Sequence, residues 1–297
     1  MIPFIFYSFT GVLFGFAMLG IGNTIVQVSA NPLLVDVVPS NRASSFLSFS
    51  QFIKAIGSMI AAPFAGWLAL AYGDWKLMFI VFGVVTLIAV IWLGSVKIEE
   101  SARSGKRATF SSSLSLLSIR YISLMALGIF LLVGIDVGVN AVSGQFFLSK
   151  FQSSQTFAES ARSVYFFGKM AGTFIGAILL TRLQSRPFFR WTSIFALVAI
   201  ATLLFAPGEI AGMIIVFVIG LTLANVFPLI FALTIQKYSD RSNEISGLMI
   251  MAVSGGAVIP VLIGWLTDSI SLTAGMLVLV FCAVYLLSLS LFAASRD

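Results

Sequence analysis

The sequence predicts an all-α polytopic membrane protein with its helices in two bundles. Three observations carry this. Of 297 residues, 59% are apolar and only 9% are charged, whereas a soluble domain carries about 25% charged residues. Apolar runs recur in blocks of about 20 residues, the length that crosses a bilayer. Two pairs of these runs repeat one another at a fixed distance. A soluble enzyme, a disulfide scaffold and a disordered chain are excluded by the first two observations alone.

Nine spans are expected. The first, 9–37, ends at the polar turn Pro39-Ser40-Asn41-Arg42, and the second, 44–72, ends at Gly73-Asp74. The third, 76–96, runs into Lys97–Ser113, the only long polar stretch, with Glu99, Glu100, Arg103, Lys106, Arg107 and a serine run. Its composition predicts a flexible linker. Six further spans follow at 121–148, 162–182, 189–206, 209–236, 243–267 and 272–293, separated by short turns such as Pro207-Gly208-Glu209 and Ser239-Asp240-Arg241. Turns this short join antiparallel neighbours. The expected domains are therefore a partial N-terminal bundle of three spans (1–96), a cytoplasmic linker (97–120) and a six-helix C-terminal bundle (121–297).

Lysine and arginine counts in alternating loops set the orientation. One side collects twelve, among them Arg42, Arg182, Arg186, Arg190 and Lys237; the other has Lys76, Lys150 and Arg162. The linker and C-terminus are expected in the cytoplasm, and the chain in the inner (cytoplasmic) membrane. The net charge of +6 thus reports topology, with no call for nucleic acid as a partner.

Asn31-Pro32-Leu33 followed by Gly66-Trp67-Leu68 matches Phe227-Pro228-Leu229 followed by Gly264-Trp265-Leu266. The prolines are 196 residues apart and the tryptophans 198. Agreement this close points to duplicated halves, a common transporter design. Three spans precede the one carrying Pro228 within its half and none precedes the one carrying Pro32. The expectation is a twelve-helix parent, of which nine helices are present in an N-terminally truncated fragment. A non-functional truncation is the corresponding alternative.

Candidate chemistry lies in polar residues inside spans, where they are costly and often functional. The chain has no histidine, which removes triads, imidazole metal sites and histidine proton shuttles. Its single cysteine, Cys282, lies in an apolar run. No catalytic residues, metal ligands or cofactor are expected. Asn23, Gln27 and Asn31 recur at i, i+4 and i+8, on one helix face; an amide there can donate and accept together. Gln51 and Lys54 share a face of the second span. Asp136 and Asn140 stand one turn apart in the fourth, and Asn225 precedes Phe227-Pro228 in the seventh as Asn31 precedes Pro32. Asn23, Gln27, Asn31, Gln51, Lys54, Asn140 and Asn225 are the expected substrate-binding residues. Asp136 is the only acid well inside any span. Removal from bulk water favours a protonated carboxyl, so Asp136 is the candidate proton carrier, with Lys169 at similar depth as its partner in an ion pair. Gly168, Gly172 and Gly176 form a double GxxxG that lets helices approach closely.

These stretches resemble the major facilitator superfamily, and within it the fucose–galactose–glucose:proton symporters. The matching tracts are Val28–Leu33, Val133–Gly138, Phe167–Thr173, Phe227–Leu233 and Ser246–Ala257 with Pro260 and Gly264-Trp265-Leu266-Thr267-Asp268. They extend along essentially the whole chain, aligned to helices four to twelve. The resemblance implies a monomeric secondary transporter that takes up a monosaccharide with a proton by alternating access. Two positions depart from the pattern. Gln27 stands where family members commonly carry glutamate, and Lys54 stands at a family asparagine. The alternative within the superfamily is an exporter of another small solute or drug.

Overall fold

A backbone in hydrocarbon has no water to bond, so it closes its own hydrogen bonds as helix. The computed structural model describes residues 8–96 and 108–294, and among these every regular element is helical. The helices are α1 (Phe9–Val37), α2 (Ala43–Tyr72), α3 (Leu77–Ser95), α4 (Phe110–Ser115), α5 (Arg120–Phe151), α6 (Gln155–Leu179), α7 (Ser185–Leu203), α8 (Glu209–Leu223), α9 (Val226–Lys237), α10 (Ser242–Ala252), α11 (Gly255–Ser269) and α12 (Leu272–Ala294). Single 3₁₀ turns join α1 to α2, α4 to α5 and α9 to α10.

Seven segments of the described residues are long and apolar enough to cross a membrane, rather than the expected nine. The two that fall short are α6 and α7. Their 25 and 19 residues reach roughly 37 and 28 Å at 1.5 Å per residue, so length is adequate. Their polarity is higher: α6 carries Glu159, Arg162 and Lys169, and α7 carries Arg186 and Arg190. α6 also starts at Gln155, seven residues before the expected 162. Ser154 accepts a hydrogen bond from the Phe157 amide at 3.3 Å and caps the helix there.

Two expected spans are each broken. The run 209–236 divides into α8 and α9 around Ala224-Asn225, and 243–267 divides into α10 and α11 around Val253-Ser254. The expected flexible linker is also corrected in part. Residues 97–107 lie outside the described residues, but α4 begins at Phe110. Thr109 Oγ1 accepts from the Ser112 amide at 3.1 Å and Ser112 Oγ accepts from the Thr109 amide at 2.9 Å, a reciprocal cap that a serine run supplies.

Contacts group the described residues into two units, residues 8–27 with 56–96 and residues 28–55 with 108–294. In the smaller unit, α3 buries no residue, and Ile91, Trp92 and Leu93 are all exposed. An apolar surface on every side suits hydrocarbon surroundings. The ends of α2 and α3 line a shallow cavity of about 310 Å³ with Phe64, Trp67, Leu77 and Ile80.

The larger unit is built around α5, which touches α6, α8, α9, α10, α11 and α12. Ile122, Met125, Ile129 and Ile135 of α5 are fully buried. α6 and α8 meet backbone to backbone: a methyl added at Gly168 or Gly172 would overlap the carbonyl oxygen of Phe217 or Leu221, and one at Gly220 would overlap that of Tyr165. Within this unit, residues 28–55 are bonded to the C-terminal helices by a seam of neutral polar groups. Ser44 and Ser185 hydroxyls lie 2.9 Å apart, and Ser45 donates to the Ala177 carbonyl at 2.5 Å. Gln236 donates to the Ser40 carbonyl at 2.5 Å and Ser246 to that of Val28 at 2.8 Å.

Candidate functional site

The strongest polar arrangement lies between the middles of α5 and α6. Tyr165 and Lys169 stand at i and i+4, so one face of α6 presents both. Asp136 stands opposite, on α5. The Tyr165 hydroxyl donates to Asp136 Oδ1 and the Lys169 ammonium donates to Oδ2. The carboxylate therefore has a charged partner and a neutral one. Tyr165 is fully buried, while the Asp136 and Lys169 side chains keep 22% and 27% of their surface accessible.

Asn140 follows one turn along α5. Its Nδ2 donates to the Asp136 carbonyl at 2.6 Å. Its Oδ1 is buried and has no hydrogen-bond partner among the described residues. Lys54, on α2, is exposed and belongs to the same unit as Asp136 and Lys169.

The expected amides divide. Asn31 is 8% exposed, and its Nδ2, a strong donor, is buried with no partner among the described residues. An unmet donor in an apolar bundle costs about 1–3 kcal/mol, which a ligand oxygen would recover. Asn31 belongs to the larger unit with Gln51, which is half-buried on α2. Asn23, exposed, and Gln27, half-buried, belong to the smaller unit. They share a face of α1 with Asn31 by helix periodicity.

Asn225, an expected substrate contact, has its Oδ1 buried with no hydrogen-bond partner among the described residues. It is 2% exposed and sits at the joint between α8 and α9, where its Nδ2 donates to the Gly172 carbonyl at 2.7 Å. A methyl at Gly176 would overlap this side chain. The second half of the double GxxxG thus makes room for an asparagine as well as for a helix backbone. The sequence reading missed two features: the bond from Tyr165 to Asp136 and the clasp of Asn225 on α6. The first has a visible signal in the i, i+4 spacing of Tyr165 and Lys169. The second has none, because nothing in the linear order connects Gly172 with Asn225.

A bundle of membrane-crossing helices, jointed within two spans and carrying a charged cluster in its interior, is the architecture of a multi-pass membrane transporter. The family model of the Major Facilitator Superfamily matches residues 1–259, and the chain belongs to that superfamily. It is 28% identical over 304 residues to the glucose/galactose transporter of Brucella abortus biovar 1 (strain 9-941), covering 95% of this chain and 70% of that protein. Over 123 residues it is 38% identical to the glucose/mannose transporter GlcP of Bacillus subtilis (strain 168), covering 38% of this chain and 29% of that one. The crystal structure of the superfamily transporter FucP in its outward conformation has the same fold, with a TM-score of 0.81 at 18% identity over 92% of this chain and 73% of FucP. A bacterial homologue of the iron transporter ferroportin, in an outward-facing state, also shares it, with a TM-score of 0.72 at 18% identity over 97% and 73% of the two chains. Membership makes this chain a transporter rather than an enzyme.

Proposed function

We propose that the chain belongs to a secondary transporter that takes up a monosaccharide by alternating access and couples uptake to a proton carried by Asp136. The observation that carries the coupling is the state of Asp136 itself. It is an acid in the middle of a span, bonded through both oxygens and still partly accessible. Ionised, it neutralises Lys169. Protonated, it keeps a hydrogen bond to Tyr165 but releases the electrostatic hold on Lys169, so one proton switches the cluster between two bonding patterns. The sugar is supported by the names of the relatives and by the unmet polar atoms of Asn31 and Asn140, which suit hydroxyl groups that donate and accept. The lysine and arginine bias supports an inner-membrane protein with a cytoplasmic C-terminus. The linker separates a three-span N-terminal portion from a six-helix C-terminal bundle.

The test is uptake of labelled glucose and galactose by cells that lack their own hexose uptake, in wild type and Asp136→Asn. The variant is expected to lose accumulation against a gradient yet retain exchange of external for internal sugar. Accumulation at wild-type level in Asp136→Asn refutes the coupling role. Absence of uptake for any monosaccharide in wild type refutes the substrate class.

A further inference from the structure

We propose that the groove between the start of α2 and the end of α6 binds an anionic phospholipid, its phosphate on Arg42 and an acyl chain on the aromatic wall below. The observations are the order of residues along the groove and the charge at its mouth. A cavity of about 280 Å³ lies between the two helices, within the larger unit. Arg42 immediately precedes α2, and Thr181 lies just past the end of α6. The mouth is therefore at the end of a span, where lipid headgroups lie. Further into the two helices the lining becomes Phe46, Phe49, Phe174 and Ile178. Each keeps between 42% and 54% of its surface exposed, an open apolar face that suits hydrocarbon. Phe174 packs on Phe52 of α2 with ring centroids 5.0 Å apart, so the wall is shared between the helices. The polar atoms within the lining are already satisfied, since Ser45 donates to the Ala177 carbonyl.

An acyl chain gains little by exchanging lipid neighbours for phenylalanines, because lipid tails are equally apolar. The wall fixes where a chain lies, and the headgroup decides which lipid stays. Arg42 is exposed, and its guanidinium makes no hydrogen bond or ion pair among the described residues. A guanidinium is permanently charged and grips a phosphate through two parallel bonds. The Thr181 hydroxyl donates to the Ile178 carbonyl at 2.7 Å, which leaves its oxygen free to accept from a headgroup hydroxyl. Arg182, exposed, follows directly and adds a second cation at this end. No acidic side chain among the described residues lines the groove. A zwitterionic headgroup would bring an ammonium beside Arg42 with no carboxylate to receive it, whereas phosphatidylglycerol brings one negative charge and hydroxyls. A free phosphate would use the mouth alone. The succession of cation, hydroxyl and aromatic wall matches an amphiphile.

The experiment uses the purified full chain in phosphatidylethanolamine vesicles that carry a trace of either phosphatidylglycerol or phosphatidylethanolamine with a photoreactive diazirine in its acyl chain. Labelled positions are mapped by peptide mass spectrometry in wild type, Arg42→Gln and Arg42→Lys. Labelling on α3, whose Ile91, Trp92 and Leu93 are exposed, is the reference for general lipid contact in each protein. Relative to α3, phosphatidylglycerol is expected to label the Phe46–Phe49 and Phe174–Ile178 stretches about fivefold to tenfold more than phosphatidylethanolamine, the effect of one basic residue at the membrane surface. The preference should fall toward unity in Arg42→Gln and largely persist in Arg42→Lys, which also shows that position 42 tolerates substitution. Equal labelling of the groove by the two lipids in wild type overturns the proposal without recourse to any variant, as does a groove labelled no more than α3. A preference that Arg42→Gln leaves intact overturns the assignment of the phosphate to Arg42. Loss of the preference on adding millimolar inorganic phosphate, with sodium chloride at equal ionic strength as the control, identifies a soluble phosphate site and overturns the lipid.

Discussion

Gly220→Ala tests whether the backbone contact between α6 and α8 sets the geometry of the charged cluster. The added methyl overlaps the Tyr165 carbonyl oxygen and comes within 3.1 Å of the Lys169 amide nitrogen. A carbon and a carbonyl oxygen rest at about 3.3–3.6 Å, and relieving the overlap requires on the order of 1 Å of movement. Both near atoms are backbone, so no side chain can rotate away and α6 itself must shift. Overpacking of this kind costs about 1–3 kcal/mol. At about 2–4 °C per kcal/mol, the melting midpoint should fall by several degrees. The shift acts at the two residues that bind Asp136, and a hydrogen bond does not survive an ångström of stretching. Transport should therefore fall further than stability explains. The assay is the midpoint of heat-induced aggregation in detergent, read beside sugar uptake at matched expression. Gly264→Ala is the control, since a methyl there meets nothing within 4 Å and alanine is the better helix former by about 1 kcal/mol. A Gly220→Ala protein with the midpoint and uptake of wild type refutes the reasoning, as does a Gly264→Ala protein that suffers equally.

Other perturbations have distinct signatures. Asn225→Ala removes the bond to Gly172 and leaves a void beside Gly176. Thermal stability should drop by about 1–3 kcal/mol with the apparent affinity for sugar unchanged in the surviving protein; a selective loss of affinity would place Asn225 on the binding surface. Cys282 is 4% exposed, so a maleimide should label it only after denaturation in dodecyl sulfate. Fast labelling of the native protein contradicts the packing of α12.

The hydropathy pattern was sufficient for the ends of the early helices. The expected 9–37 coincides with α1, 44–72 differs from α2 by one residue at its start, and 76–96 differs from α3 by one residue at each end. It failed where chemistry other than hydropathy decides. α6 begins in charged sequence because Ser154 caps it, and a search for apolar runs passes over Glu159 and Arg162. The breaks at Asn225 and Ser254 leave hydrophobicity unchanged, so a long apolar run reads as one helix. The site was legible in part. The mid-span positions of Asp136 and Lys169 singled them out, and the structure joins them. The amides at i, i+4 and i+8 of α1 could not be assigned individual partners, because helix periodicity gives a face and leaves the neighbour unknown.

The seam that holds residues 28–55 on the C-terminal helices is made of hydroxyls, one carboxamide and backbone carbonyls. Each such bond contributes about 0.5–1.5 kcal/mol net, and each group can exchange its partner for a water molecule on separation. A junction of this kind behaves like a zip fastener rather than a bolt. These bonds part tooth by tooth and close again without having to recapture a desolvated charge.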